Sequence, residues 1–273
     1  MPSLRIEAFA KINQTLEVYG VRPDGFHELR SVVLPIGLCD VLDVEATADG
    51  VIATDTGYGE KDLIVRAAKA LRTACGRADA ATLGASVKVV KNIPAGGGLG
   101  GGSADAAAAL RALNDLWNCG KTPEELAAIG ASVGSDIPAL VLAQHDRKPI
   151  LMEGRGERVK VIEGAAPETR PLVLVHPGVA SATAEVYAKC GARTEPAAGA
   201  VNDLQAAACA LHPEIATALV ALTAFGAADV MMSGSGSVIY GFASDAASAE
   251  SIAARMRALG CTTWVTKILG DCL

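Results

Sequence analysis

Residues 94–104 read PAGGGLGGGSA, and Leu99 alone interrupts the glycines that run from Gly96 to Gly102. Glycine within a helix or strand costs about 0.5–1 kcal/mol against alanine. So dense a run, in a chain otherwise rich in Ala, Leu and Val, reads as backbone kept bare for a ligand. The stretch that follows, SADAAAALRALNDLW, sets Ala106, Leu110, Leu113 and Trp117 at helical spacing. A glycine loop that enters a helix presents unpaired N–H groups and the positive end of the helix dipole, a combination that binds phosphate. The competing use of such a run is a flexible hinge.

Two familiar phosphate motifs do not fit. A Walker loop ends in Gly-Lys-Ser/Thr, with another glycine five residues before. The run here meets Ser103 without a lysine, and the GKT at 120–122 has Asp115 in place of the first glycine. A dinucleotide fingerprint can be laid on Gly96, Gly98 and Gly101. However, the preceding ASVKVVKNIP alternates more than a buried parallel strand does, and four residues, 92–95, intervene where that fold turns at once.

Other reactive side chains are scattered. Lys11 and Asn13 share one face of a strand by the period of two, flanked by Ala10, Ile12 and Leu16. They either point to solvent, which periodicity alone favours, or line a polar pocket. Asp136, in SDIP, opens a short apolar segment; it is either a helix cap or a carboxylate held at a helix start and aimed into a cleft. Phe26 and His27 follow a turn directly, where the ordinary reading is a core phenylalanine and a surface histidine.

The elements that must position these groups follow from patterning. Residues 4–21 and FHELRSVVLPIGL form a hairpin closed by RPDG, with Pro23 presetting φ and Gly25 completing the turn. DLIVRAAKALRTACG is a helix capped by Asp62 and stopped by Gly76. A strand over 85–91, the glycine loop and a helix over 103–118 come next. Thr122-Pro123-Glu124-Glu125 is a capping box whose helix ends near Gly134. PILMEGRGERV gives two strands about a Gly154/Gly156 turn, and 163–170 reads as a linker. PLVLVHP is a buried strand. Residues 181–228 are helical, broken by Pro196, Gly199 and Pro213. ADVMMSGSGSVIYGF then places a second small-residue loop, 233–237, between two strands, before a helix over 245–258 and a last strand, TTWVTKIL. Strands and helices without strict βαβ repetition predict an α+β fold.

Composition sets the outer bounds. At 273 residues, 51% apolar and 20% charged, the chain has an ample core. A net charge of −6 argues against a broad nucleic-acid or anionic-membrane surface, so a polyphosphate must be held by amides and a few lysines. Seven cysteines (Cys39, Cys75, Cys119, Cys190, Cys209, Cys261, Cys272) form no C-x-x-C. That pattern predicts reduced thiols, no zinc site, no disulfide framework and a cytoplasmic protein. The N-terminal stretch lacks the apolar core of a signal peptide, and no run of 18 or more apolar residues exists.

AKINQTLEVYGVRPDGFHELRSVV, DLIVRAA, PAGGGLGGGSADAAAALRALN, GSDIPALV, HPGVASATAEVY and the late SGSG stand in fixed order. This order resembles the GHMP family of small-molecule kinases, and within it the branch acting on a cytidine diphosphate conjugate of methylerythritol. The resemblance implies two domains: a ribosomal-S5-like N-terminal domain over 1–165 and a ferredoxin-like α+β C-terminal domain over 166–273. It implies ATP as co-substrate with Mg2+, phosphorylation of the tertiary 2-hydroxyl in non-mevalonate isoprenoid biosynthesis, and a monomer or weak homodimer. Asp136 would be the catalytic carboxylate and Lys11 its partner. Pro94, Ala95, Gly96, Gly97, Gly98, Leu99, Gly100, Gly101, Gly102, Ser103 and Ala104 would wrap the ATP phosphates, with Lys91, Asp62 and Leu63 at adenine. His27 would bond the cytosine edge while Phe26 and Tyr187 flank its ring. Asn13, Thr183, Gly234 and Ser235 would hold the rest of the acceptor. The chain departs from the family at Phe26, where tyrosine is frequent, at Asp62, where asparagine is, and at Ala104-Asp105, which replaces Ser-Asn and adds a negative charge. No carboxylate cage for a metal is legible.

Overall fold

The computed structural model describes residues 2–23, 25–164, 168–193, 199 and 201–270. Two long antiparallel strands, β1 (Ser3–Val21) and β2 (His27–Thr47), open it as the expected hairpin. Then come β3 (Ile52–Thr54), α1 (Leu63–Ala74), β4 (Gly84–Val90), α2 (Gly101–Leu116), α3 (Pro123–Ala131), α4 (Ile137–Asp146), β5 (Ile150–Gly154) and β6 (Arg158–Val161). β2 is long enough to pair with β1 along its length, with β5 at one end and with β4 at the other. The sheet order is β3-β4-β2-β5-β6, with β1 on β2.

The second half supplies β7 (Leu172–His176), α5 (Thr183–Lys189), α6 (Leu204–Leu211), α7 (Pro213–Ala224), β8 (Ala228–Met232), β9 (Ile239–Phe242), α8 (Ala246–Ala258) and β10 (Thr262–Thr266). Its four strands are ordered β10-β7-β9-β8. The architecture is α+β, as expected. The domain boundary expected at 165/166, Pro196 and Cys272 lie outside the described residues.

Local chemistry accounts for the element ends. Asp62 caps α1 by accepting from the Ile64 amide at 2.7 Å. Thr122 and Glu125 complete the reciprocal capping box of α3. The apolar run of β7 is explained by burial on both faces: Leu172 and Leu174 join the core under the first sheet, while Val173 and Val175 join the core of the second half. α2 is buried nearly all round, through Ala104, Ala106 to Ala109, Leu110, Ala112 and Leu113. Alanine lets its neighbours approach closely, and a helix apolar on every side belongs in the middle of a core.

One expectation about the cysteines is overturned. Cys75, at the end of α1, and Cys119, just after α2, are joined as a disulfide. They stand 44 residues apart in sequence, and the lateral packing of α1 on α2 brings the two helix ends together, which spacing alone does not reveal. Cys39, Cys190, Cys209 and Cys261 are free thiols.

Candidate active site

The glycine run divides between loop and helix. α2 begins at Gly101, two residues before the expected start, so Gly101 and Gly102 form its first turn and Gly100, with φ +73°, is its N-cap. No side chain caps this helix, and the amides of Gly101, Gly102 and Ser103 make no hydrogen bond among the described residues. Those are the orphan donors of a helix N-terminus. Gly96 and Gly98 also hold positive φ, +67° and +76°. A Cβ on Gly96 would meet nothing within 4 Å, whereas one on Gly98 would collide with the Ser233 carbonyl of the late loop.

Lys11 and Asn13 are buried, at 4% and 2% exposure, which corrects the solvent-facing reading. The physical reason is twofold. Register shifts between Phe9 and Lys11 and between Asn13 and Thr15 break the simple alternation of β1. The face expected to be open is also roofed by the second half: a Cβ on Gly234 would lie 3.3 Å from the Lys11 ammonium. Lys11 Nζ donates to Asn13 Oδ1 at 2.6 Å, and Asn13 Nδ2 donates to Ser31 Oγ at 2.7 Å. The Lys11 amide bonds the Leu99 carbonyl at 3.1 Å, which ties β1 to the glycine loop.

Asp136 resolves the other open alternative. It occupies the N-cap position of α4, yet its side chain makes no capping bond. Its carboxylate instead lies 3.8 Å from Lys11 Nζ and is about one-third exposed. Burial lowers the Lys11 pKa, and the Asp136 charge works against that.

The late loop is fixed from behind. Ser233 Oγ donates to the Gly98 carbonyl at 3.0 Å, Asn202 Nδ2 to the Gly234 carbonyl at 2.8 Å, and Ser235 Oγ meets Thr183 Oγ1 at 2.8 Å. His27 and Tyr187 rest ring to ring, 4.9 Å between centroids, and the Arg155 guanidinium covers the half-exposed Phe26 ring at 5.0 Å. Burial, then the Asp136 charge, raises the Tyr187 pKa.

A cleft of about 1330 Å³ is lined by all the residues expected at the site except one. Ala104 is fully buried in the core instead; one helical step past Ser103, it faces Gln144, whose amide donates to its carbonyl at 3.2 Å. Asp105 reaches the cleft in its place. Lys91 Nζ donates to Asp105 Oδ2 at 2.6 Å and to Asp40, and burial pushes the Asp105 carboxyl up to about 7. Asp62 caps α1 and accepts from Thr54 and Thr56, so its carboxylate is fully engaged. Sequence reasoning missed Tyr58, Lys61 and Arg155, which also line the cleft. Tyr58, a lone aromatic in the polar DTGYGEKD loop and 70% exposed, was the legible signal among them.

Residues 62–144 match the model of the GHMP kinases N terminal domain, and residues 190–260 that of the GHMP kinases C terminal domain. The structure is similar to homoserine kinase from Cytophaga hutchinsonii at 17% identity over 98% of this chain and 95% of that one, TM-score 0.73, a likeness of fold alone. It is more similar to a crystal structure of 4-(cytidine 5'-diphospho)-2C-methyl-D-erythritol kinase, at 31% identity over 98% of this chain and 100% of that one, TM-score 0.82. The sequence is 38% identical to the 4-diphosphocytidyl-2-C-methyl-D-erythritol kinase of Pelotomaculum thermopropionicum over 92% of each chain. The fold and cleft are thus of the GHMP kinase class. Within it, the chain belongs to the 4-diphosphocytidyl-2-C-methyl-D-erythritol kinase family.

Proposed function

We propose that this chain transfers the terminal phosphoryl group of ATP to the 2-hydroxyl of 4-diphosphocytidyl-2-C-methyl-D-erythritol, releasing ADP and the 2-phosphate, a step in isoprenoid precursor synthesis. One observation carries the reading. A single cleft holds a bare-amide helix start, the Lys11–Asp136 pair 3.8 Å apart, and the His27–Tyr187 ring contact. These are a polyphosphate cradle, a proton acceptor beside a cation, and a platform for a flat base.

The chemistry follows from these parts. The acceptor oxygen forms its bond to phosphorus while the bond to ADP breaks, and ADP leaves with that electron pair. Phosphoryl transfer passes through a loose transition state, so the hydroxyl need not ionise before attack. Asp136 aligns the hydroxyl and takes its proton late. Such assistance is worth roughly 10²–10⁴-fold. Lys11, buried and held by Asn13, offsets charge on the moving group in a site where water screens little. Each preorganised donor is worth about 10²–10³-fold, so the amides of Gly101, Gly102 and Ser103 together outweigh the carboxylate.

At the nucleotide end, Lys91, Asp62 and Leu63 border adenine with Tyr58 beside them. At the acceptor end, Phe26 and Tyr187 flank the cytosine while His27 turns from Tyr187 to the base edge. Thr183 and Ser235, already bonded to one another, hold the middle of the substrate with Asn13 and Gly234. Magnesium fits this donor set as an ion carried by ATP. Among the described residues no cluster of three or more His, Cys, Asp or Glu forms a cage, but Asp136, about one-third exposed, lines the cleft, and its carboxylate would complement phosphate oxygens. The ion would neutralise phosphate charge.

The test is ADP release and phosphate NMR with ATP, magnesium and the cytidine substrate. One ADP per substrate consumed, with mevalonate and homoserine left untouched, is expected. Equal turnover of an acceptor lacking cytosine would replace this reading with that of a different GHMP kinase.

A further inference from the structure

A second cavity, of about 440 Å³, shares no residue with the cleft and is ringed by three arginines, Arg5 on β1, Arg111 on α2 and Arg147 at the end of α4. It sits at the far end of α4 from Asp136, about 15 Å away for a ten-residue helix.

The charges there are not balanced from within. Arg5 is exposed and reaches Asp43 only at 3.7 Å. Arg111 and Arg147 make no salt bridge among the described residues. Asp115 favours the Arg111 cation from beyond ion-pair distance, while burial and the neighbouring Arg147 charge oppose it. Arg147 is oriented by the Phe9 ring, 5.7 Å from its guanidinium, a contact that leaves its charge intact. The adjacent carboxylate, Asp146, is directed at His145. Glu7, exposed on the rim, leans toward the Cys39 thiol. Two guanidiniums thus stand together in a protein of net charge −6.

A second, independent feature points the same way. Gln144, 3% exposed, lines this cavity and spends its amide N–H groups on the Phe9 and Ala104 carbonyls, leaving Oε1 buried without a donor. A buried polar atom left unpaired is costly. A ligand hydroxyl, or a guanidinium drawn inward by a bound anion, would satisfy it. The remaining walls, Ile6, Phe9 and Val41, are apolar.

We infer that this cavity binds a small phosphorylated metabolite: a phosphate group gripped by Arg111 and Arg147, with a short apolar chain laid against Ile6, Phe9 and Val41. Guanidinium forks match phosphate oxygens in pairs, which a lone lysine does not. The cavity exceeds the size of inorganic phosphate, which leaves room for the chain.

The experiment is a calorimetric titration with inorganic phosphate and with n-butyl phosphate. Butyl phosphate is expected to bind more tightly than phosphate. Arg111→Gln and Arg147→Gln are each expected to weaken it by about tenfold or more, while Arg111→Lys loses less. ATP affinity, measured on the same proteins, should stay within about twofold of wild type; this reads the cleft separately and shows that the variants fold. Should Arg111→Gln fail to fold, Arg147→Gln, exposed at a helix end, decides the matter. Equal butyl phosphate affinity in wild type and Arg147→Gln, or butyl phosphate bound no better than inorganic phosphate, would overturn the inference.

Discussion

The Ser233 hydroxyl bonds the Gly98 carbonyl at 3.0 Å, and no side chain fits between the two residues. Gly98 is therefore demanded by the neighbouring loop, and not only by an approaching phosphate. Gly98→Val should cost about 1–3 kcal/mol by overpacking and about 1–2 kcal/mol more for left-handed backbone, with ATP binding weakened as well. Gly96→Ala is the control, since its Cβ would meet nothing within 4 Å and only the strain at φ +67° remains. Thermal melts of both variants check this. Equal stability would mean that the loops do not lean on one another.

Asp136→Asn should lower kcat at least about 10²-fold while ATP affinity stays near wild type, because the lost interaction belongs to the transition state. The uncapped geometry sharpens the expectation: Asp136 makes no side-chain bond to α4, so any fall in melting temperature reports the loss of its charge beside the buried Lys11 ammonium and not an uncapped helix. Full activity in a direct ADP-release assay would reduce Asp136 to a bystander.

Much of this site is legible in sequence because its parts are local. The capping box at Thr122 needs only four residues, and the glycine run announces itself. What escaped depends on the whole fold. Lys11 and Asn13 look solvent-facing until β-bulges and the Gly234 loop enclose them. Ala104 looks like part of the phosphate loop until the helix start moves back to Gly101, which turns it inward and brings Asp105 to the cleft. Cys75 and Cys119 meet only because α1 and α2 lie side by side. Arg155 carries no motif; it reaches Phe26 because a glycine-flanked turn between β5 and β6 points it there.

Phe26→Ala should raise KM for the cytidine substrate by about tenfold or more, leaving KM for ATP within about twofold. Phe26 is 48% exposed, so little core packing is lost, and stacking on an aromatic face is worth about 1–3 kcal/mol per base. Arg155→Ala, which uncovers the ring without removing it, should have a smaller effect in the same direction. Initial-rate measurements with each substrate varied in turn decide it, and equal effects on both KM values would discredit the base platform.

Asp105 offers a test through pH. Its folded pKa is raised to about 7, chiefly by burial, against the ordinary aspartate value of 3.8. The folded state therefore holds this proton more tightly than the unfolded chain, and stability falls as pH rises between those two values. Below about 4 the residue is protonated in both states and contributes nothing; above about 7 the full penalty of a buried carboxylate is present. Asp105→Asn keeps an acceptor for Lys91, which retains Asp40 as its counter-charge. The variant should be more stable than wild type at pH 8.5, by at most about 4 kcal/mol and less because Lys91 is partly in water. That gain should shrink steadily toward pH 5. Melting temperatures of the two proteins across this range make the comparison. A wild type more stable than the variant at pH 8.5 would mean that the Lys91–Asp105 attraction outweighs the burial of its charge.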